Sequence, residues 1–224
     1  MTTPPSPSAP ASVQIPLPLF LYALLYGGMT CIAGVLGAKQ VGIGPLAVEA
    51  GIFPFLLLVA LSSTVAQLYG RATANLLVRF GFLPLVTAII LTWIVLQLPT
   101  DPGMYEPAKE AFPIILGQSW RLMVAGILAY GVSMSLNVWI FSKLGSKEGP
   151  FVALRGAVAS MLSQIVDTLI FITVAFYGVR PIAELMLGQS IAKVVLSIIF
   201  VPPMIKLLVM LAHRIQAGAA QPGE

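Results

Sequence analysis

The chain has 224 residues, of which 58% are hydrophobic and 9% are charged, and its formal net charge is +4. Soluble domains carry roughly 25% charged residues. The composition therefore excludes a soluble globular protein and predicts a polytopic protein whose surroundings are the lipid bilayer. The basic residues form no single stripe, so we expect no nucleic-acid partner. One cysteine, Cys31, and one terminal histidine, His213, cannot build a metal site, and no metal or cofactor is expected.

The N-terminal segment 1–16 is rich in proline and serine, has no charged side chain, and is predicted to be a disordered cytoplasmic tail. Six apolar runs follow, and each approaches or exceeds the roughly 20 residues that cross about 30 Å of hydrocarbon. The runs cover residues 17–38, 46–69, 80–98, 112–142, 151–177 and 182–212. They predict an all-α membrane protein with six transmembrane helices in one bundle. This domain would occupy residues 17–212, and 213–224 would form a cytoplasmic C-terminal tail.

The loops between the runs differ in their content of lysine and arginine. One set of loops holds six basic residues, and the opposite set holds Lys39, Lys109 and Arg180. The richer set consists of Arg71, Arg79, Lys143, Lys147, Lys206 and Arg214. Because cytoplasmic loops carry the excess of Lys and Arg, both termini are predicted to be cytoplasmic.

Polar side chains inside the runs recur at helical spacing. In the second run Ser63 and Gln67 are four residues apart, and in the fourth run Tyr130, Ser133 and Asn137 follow an i, i+3, i+7 pattern. Unsatisfied polar groups are costly in hydrocarbon, so these stripes are predicted to point into one shared interior. Asn and Gln also serve as hydrogen-bond partners between helices, and this structural alternative stays open.

The fifth run carries the strongest polar signal. Ser160, Ser163, Gln164 and Asp167 lie at i, i+3, i+4 and i+7, which places them on one face of a helix. A carboxylate inside a membrane segment is expensive and indicates a functional site by default. Asp167 is therefore the leading candidate for contact with a ligand.

Depth along the helices suggests a charge partner for Asp167. Lys193, in the antiparallel sixth run, falls at a similar depth near the midplane, and Arg121 in the fourth run is the second choice. A buried ion pair can also act only as a structural staple, so that alternative stays open. Near the polar stripes, Tyr130 and Trp139 would either stack on a planar ligand or pack in the core.

Several catalytic signatures are missing from the sequence. It contains no G-x-x-x-x-G-K-[ST] loop for nucleotide phosphates, and its single histidine excludes a Ser/His/Asp set at consistent depth. An enzyme is therefore not expected.

Four blocks in order resemble those of the queuosine precursor transporter family, which is also described as the putative vitamin uptake transporter family. The blocks are "IFPFLLLVALSSTVAQLYGRATANLLVRFGF", "AYGVSMSLNVWIFSKL", "RGAVASMLSQIVDTLIFITVAFYG" and "KVVLSIIFVPPM". The third block is the most distinctive, with its Ser-x-x-Asp-Thr-x-x-Phe pattern. The resemblance covers most of the chain and implies a six-helix transporter.

The chain departs from the family pattern at several polar positions. Ser63 stands where the family commonly has Asp, Met134 stands in place of its usual Gln, and Asn137 stands in place of a second Asp. The family resemblance therefore carries over Asp167 and Lys193 but neutralises two acidic positions.

The resemblance implies import of a queuosine precursor, a 7-deazaguanine base such as preQ0 or preQ1, across the bacterial inner membrane for salvage into tRNA. It implies a purine-like ligand bound by Asp167, Gln164, Asn137, Ser163, Tyr130, Trp139, Gln67 and Ser63, with Lys193 and Arg121 as charge partners. One alternative is a substrate-capture subunit of an energy-coupling-factor type vitamin importer. A second alternative is a membrane scaffold that transports nothing. The sequence leaves open the oligomeric state, any energising partner and the driving ion.

Overall fold

A computed structural model describes residues 15–43, 46–117, 120–144, 151–178 and 182–219. These residues contain seven α-helices and a β-hairpin. The helices are α1 (Leu17–Gly37), α2 (Ile52–Phe80), α3 (Phe82–Gln97), α4 (Glu106–Leu116), α5 (Trp120–Lys143), α6 (Val152–Phe176) and α7 (Ile182–Ala219). The hairpin consists of β1 (Gln40–Ile43) and β2 (Leu46–Glu49). Residues 1–14 of the predicted tail, Lys147 and Arg180 lie outside the described part.

Five stretches of these helices are long and apolar enough to cross a membrane by length and composition. They are Leu17–Gly37, Ile52–Gln97, Arg121–Lys143, Val152–Phe176 and Leu185–Gly218. Large apolar side chains cover their outer faces: Leu83 is 63% exposed and Trp93 is 59% exposed. Such faces require lipid. The prediction of a helical, multi-pass membrane protein is thus confirmed at this level.

The second predicted run begins too early. Residues 46–49 form strand β2, which pairs antiparallel with β1 so that Val41 lies opposite Val48, and α2 begins only at Ile52. Hydropathy does not distinguish a short apolar strand from the first turn of a helix. The hairpin lies between α1 and α2, and Val48 is buried.

The fourth predicted run, 112–142, is divided between two helices. Pro113 lies inside the short helix α4, and Gly117 ends that helix by donating its N–H to the Pro113 carbonyl at 2.8 Å. The long helix α5 starts at Trp120. The apolar run therefore includes the end of an amphipathic helix as well as a membrane helix. In contrast, α7 continues through Pro202-Pro203, although proline inside a helix removes a backbone hydrogen bond and favours a break.

Gly70 interrupts α2 with φ 84° and ψ 165°, a backbone conformation that other residues rarely adopt. A Cβ atom at Gly51 would lie 2.7 Å from the Ala33 carbonyl oxygen, near the end of α1, whereas one at Gly81 would lie 2.6 Å from the Tyr26 ring. Ala33 and Tyr26 are only about 10 Å apart along α1, but an unbroken helix from Gly51 to Gly81 would extend about 45 Å. The chain therefore changes direction at Gly70.

The interior of the bundle is polar as well as apolar. Helices α5, α6 and α7 pack side by side, and α2 packs against α5 and α7. The polar side chains buried at this junction are Ser62, Ser63, Thr64, Ser133, Asn137, Arg155, Ser160, Ser163, Gln164, Asp167, Thr168, Gln189 and Ser197. The fold thus brings the predicted stripes of α2, α5 and α6 into one interior.

Candidate functional site

Asp167 lies at the centre of a contact between three helices. Its Oδ2 is 3.1 Å from Lys193 Nζ of α7, and its Oδ1 accepts a hydrogen bond from Ser133 Oγ of α5, also at 3.1 Å. The two charged side chains are only 12% and 9% exposed. The ion pair that helix depth predicts is therefore present, and its burial makes it strong and costly to break.

Arg121, the second candidate partner, is not near this carboxylate. It donates from Nε to the Val174 carbonyl and from Nη2 to the Tyr177 carbonyl, each at 2.6 Å, at the carboxyl end of α6. Because α5 begins at Trp120, Arg121 stands at the helix terminus instead of deep in a run. Its role in the structure is to satisfy carbonyls that the end of α6 leaves unpaired.

Asn137 links α5 to α2 through its amide. Its Nδ2 donates to Ser62 Oγ at 3.1 Å and to Ser63 Oγ at 3.2 Å, and all three residues are fully buried. Its Oδ1 has no hydrogen-bond partner among the described residues. Asn137 and Ser63 therefore hold two helices together while one acceptor remains available.

Gln164 differs from every other predicted site residue. It is fully buried, and within the described residues neither its Oε1 nor its Nε2 has a hydrogen-bond partner. The hydroxyl groups of Ser160 and Thr168 on the same helix are also unpartnered, whereas Ser163 Oγ donates to the Ser160 carbonyl at 3.0 Å. A buried polar group without a partner costs about 1–3 kcal/mol, so this face of α6 is poorly satisfied by the protein itself.

Glu49 is a second acid that the sequence interpretation missed. Gln189 Nε2 of α7 lies 3.5 Å from Glu49 Oε1 at the end of β2. Burial raises the pKa of Glu49 above its ordinary 4.5; Lys193 and the Gln189 contact oppose the shift, and Asp167 adds to it. Glu49 thus lies within electrostatic range of the Asp167–Lys193 pair. An acid inside an apolar run was the signal that could have identified it.

Arg155 is another residue that the sequence interpretation missed, and it is the hydrogen-bond partner of the predicted site residue Gln67. Its Nη1 donates to Gln67 Oε1 at 3.3 Å, its Nη2 donates to the Phe141 carbonyl at 2.9 Å, and its guanidinium lies 4.5 Å from the centroid of the Phe141 ring. Arg155 and Asp167 are about 18 Å apart along α6. Gln67 therefore belongs to the opposite end of the bundle from the ion pair.

The two predicted stacking residues do not face the polar interior. Tyr130 Oη contacts Tyr26 Oη at 2.9 Å, and the Tyr130 ring packs edge-on against Phe82 at 4.8 Å between ring centroids. Trp139 is 45% exposed on the outer surface of α5. Both residues are close in sequence to the polar stripes, which is why they were predicted to lie near the ligand. Neither side chain points toward Asp167.

No group of three or more His, Cys, Asp or Glu side chains suited to a metal ion occurs in the described part of the chain. The arrangement around Asp167 instead offers a carboxylate, an ammonium group and several amides and hydroxyl groups. These are groups that bind a polar organic molecule through hydrogen bonds.

A helical, multi-pass bundle with ionisable groups and unpartnered amides in its interior is the architecture of a membrane transporter. The family described as "Putative vitamin uptake transporter" matches residues 49–207. The chain therefore belongs to that family, as the four sequence blocks predict. The match extends from residue 49 to residue 207, so it includes Glu49 and Asp167.

One curated relative is similar to part of the chain. It is the "Probable queuosine precursor transporter" of Bacillus subtilis (strain 168), 28% identical over 139 residues. The aligned segment covers 60% of this chain and 60% of the relative. No solved structure matches the chain.

Proposed function

We propose that this transporter imports a queuosine precursor, a 7-deazaguanine base such as preQ0 or preQ1, across the bacterial inner membrane for tRNA queuosine salvage. Membership of the family supports a transport role, and the name of the Bacillus subtilis relative supports the substrate class. The observation that carries the proposal is the pair formed by Asp167 and Gln164. One is an anchored carboxylate and the other is a fully buried amide without a partner.

The chemistry of a guanine-like edge fits these two groups. The edge presents adjacent N–H donors beside a carbonyl oxygen, and a carboxylate accepts two donors at once. Each oxygen of Asp167 has one protein partner, so lone pairs remain on both. Gln164, one helical turn away, would donate to the ligand carbonyl from Nε2. Asn137 Oδ1 and the hydroxyl of Thr168 supply further hydrogen-bonding groups.

The position of Glu49 suggests how this second acid takes part in substrate binding. Glu49 lies at the hairpin side of the ion pair and contacts Gln189 of α7. A ligand that approaches from the hairpin side would pass Glu49 before it meets Asp167. Glu49 thus supplies an acidic group in a site where Ser63 and Asn137 replace two acids of the family pattern.

The proposed path needs a defined topology, for which we infer six membrane crossings with both termini cytoplasmic. The stretch Ile52–Gln97 has 46 residues. At 1.5 Å per residue it would measure about 69 Å, more than twice the hydrocarbon thickness. The change of direction at Gly70 supports two crossings, 52–69 and 71–97. The lysine and arginine asymmetry of the loops supports the orientation.

Uptake in a host that cannot synthesise the precursor and lacks its own importer tests the proposal. Cells that express the protein should regain queuosine in their tRNA when preQ0 or preQ1 is supplied. Asp167→Asn should reduce the queuosine content of tRNA by at least about tenfold. The substitution replaces a charged group that only accepts hydrogen bonds with a neutral amide that has one acceptor oxygen and one donor NH2 group. Asp101→Asn, in the exposed loop after α3, is the matched control and should transport normally.

Full uptake by Asp167→Asn at equal membrane abundance would contradict the role of the carboxylate. Uptake only when a separate ATPase and scaffold copurify would indicate the energy-coupling-factor alternative. A failure of the wild-type protein to restore queuosine with any deazapurine would favour the scaffold alternative.

A further inference from the structure

An open groove of about 520 Å³ lies beside the start of α6 and the last third of α7. Its lining residues are Gln67, Val152, Lys206, Val209, Met210, His213, Arg214 and Ala217. Val152 is fifteen residues before Asp167 on α6, which is about 22 Å along the helix. The groove is therefore distinct from the proposed substrate site.

Basic and apolar side chains share one face of α7 along this groove. Lys206, Met210, Arg214 and Ala217 recur at intervals of three or four residues, which aligns them on a single stripe. Lys206 and Arg214 are exposed. Neither makes an ion pair with another described residue, and no acidic side chain of the described part of the chain lines the groove. Among the described residues, the groove thus combines apolar surface with two cations that have no acidic partner.

The position of the groove along the membrane normal is at the boundary between hydrocarbon and water. Helix α7 has 38 residues, or about 57 Å, so one end must extend beyond about 30 Å of hydrocarbon. The groove lies where the first segment of α2 ends, at Gln67, and where α6 begins, at Val152. Phospholipid headgroups occupy that level of a bilayer.

We propose that this groove binds one anionic phospholipid. The phosphate-bearing headgroup pairs with Lys206 and Arg214, and the glycerol and first carbons of an acyl chain lie against Val209 and Met210. A volume of about 520 Å³ lies in the range of about 300–1,000 Å³ typical of small-molecule sites. Anionic lipids are concentrated at the cytoplasmic surface of membranes, where Lys and Arg clusters attract them. The inference rests on the cytoplasmic position proposed for the end of α7, and it does not depend on which molecule the protein transports.

The test measures thermal unfolding and lipid retention by native mass spectrometry of the purified full chain. Phosphatidylglycerol should raise the melting temperature more than phosphatidylcholine does, and should stay bound as one molecule per chain. The double variant Lys206→Gln/Arg214→Gln should lose roughly 25-fold in phosphatidylglycerol affinity, about fivefold for each cation removed. Ala217→Trp keeps both cations but fills the apolar groove, and it should also weaken retention.

Arg71→Gln/Arg79→Gln is the matched control, because it removes the same charge from two exposed arginines of α2 outside the groove. Its phosphatidylglycerol affinity should be unchanged. Equal stabilisation by both lipids, or an equal loss in the control variant, would overturn a specific site. Displacement of the lipid by inorganic phosphate alone would show that a free anion binds there, and would also overturn the proposal.

Discussion

At the scale of single residues, the Asp167–Lys193 pair raises the question of whether it is only structural. Both side chains are nearly buried, and their charged atoms are 3.1 Å apart. Removing one charge from a buried pair leaves the other uncompensated, which costs about 3–5 kcal/mol, whereas removing both often costs much less. The two possible roles can therefore be separated by measuring stability and transport on the same variants.

Lys193→Met should lower the free energy of unfolding by about 3–5 kcal/mol. Because Asp167→Asn also removes the stranded carboxylate, the double variant Asp167→Asn/Lys193→Met should recover much of that loss. Unfolding in detergent, followed by circular dichroism, measures both. If the double variant regained stability and also transported normally, the pair would be a structural staple and not part of the substrate site.

Gln164 allows a test in which transport should be lost while stability is kept. Its buried amide has no hydrogen-bond partner among the described residues. Gln164→Leu removes two unpartnered buried atoms, so stability should be unchanged or rise by up to about 3 kcal/mol. Precursor uptake should nevertheless fall sharply. Asn137→Leu is the comparison, because it breaks hydrogen bonds to Ser62 and Ser63. It should destabilise the protein.

A Gln164→Leu variant that unfolds more easily than wild type would mean that the amide has a structural partner. A stable variant with normal uptake would remove Gln164 from the proposed site. In both cases the assignment of the α6 face to the ligand would need to change.

At the scale of elements, the sequence predicts some helices closely and others poorly. The runs 17–38 and 151–177 agree with Leu17–Gly37 and Val152–Phe176 to within a residue at each end. These helices are flanked by breaks in apolar composition. The hairpin and the division between α4 and α5 were missed, because hydropathy detects apolar character and not the strand pairing or the Gly117 terminus that shape the chain.

The sequence also predicts only part of the arrangement of the candidate site. Depth along two antiparallel helices was enough to pair Asp167 with Lys193. It could not place Tyr130, Trp139 or Gln67, because the direction of a side chain around a helix depends on which neighbours pack there. Glu49 joins the site only through the hairpin fold.

Glu49 in the hairpin should make the stability of the protein depend on pH in a way that can be measured. Burial raises the pKa of Glu49 above 4.5, so the folded protein binds more protons than the unfolded chain between that value and the raised pKa. Stability therefore increases as pH falls through this window and is lost as pH rises. Glu49→Gln is always neutral and should remove this slope.

Melting temperatures at about pH 5 and about pH 7.5 would show the effect. Relative to wild type, Glu49→Gln should be more stable at the higher pH than at the lower one. Glu110→Gln in α4 is the control, because Glu110 is exposed. Parallel shifts in both variants would show that Glu49 is not buried as a carboxyl group.

At the scale of the whole molecule, the number of crossings decides how the site faces the two sides of the membrane. With a cytoplasmic N-terminus and a single crossing by Ile52–Gln97, the loop after α3 would lie in the cytoplasm and the C-terminus outside. If the chain reverses at Gly70, that loop lies outside and the C-terminus is cytoplasmic. The contacts that a Cβ atom at Gly51 or Gly81 would make along α1 favour a reversal at Gly70 and therefore the second arrangement.

Single cysteines should distinguish these arrangements, since Cys31 is the only native cysteine and can be replaced by serine. Thr100→Cys and Ala217→Cys introduce thiols at exposed positions after α3 and near the end of α7. In intact cells a membrane-impermeant maleimide should label Thr100→Cys, and it should label Ala217→Cys only after permeabilisation. With the N-terminus fixed in the cytoplasm by an independent label, the reverse pattern would support five crossings, because loss of one crossing moves both positions to the opposite side. With six crossings and cytoplasmic termini, a ligand from outside would reach Asp167 past the hairpin and Glu49, and the Arg155–Gln67 contact would lie toward the cytoplasm.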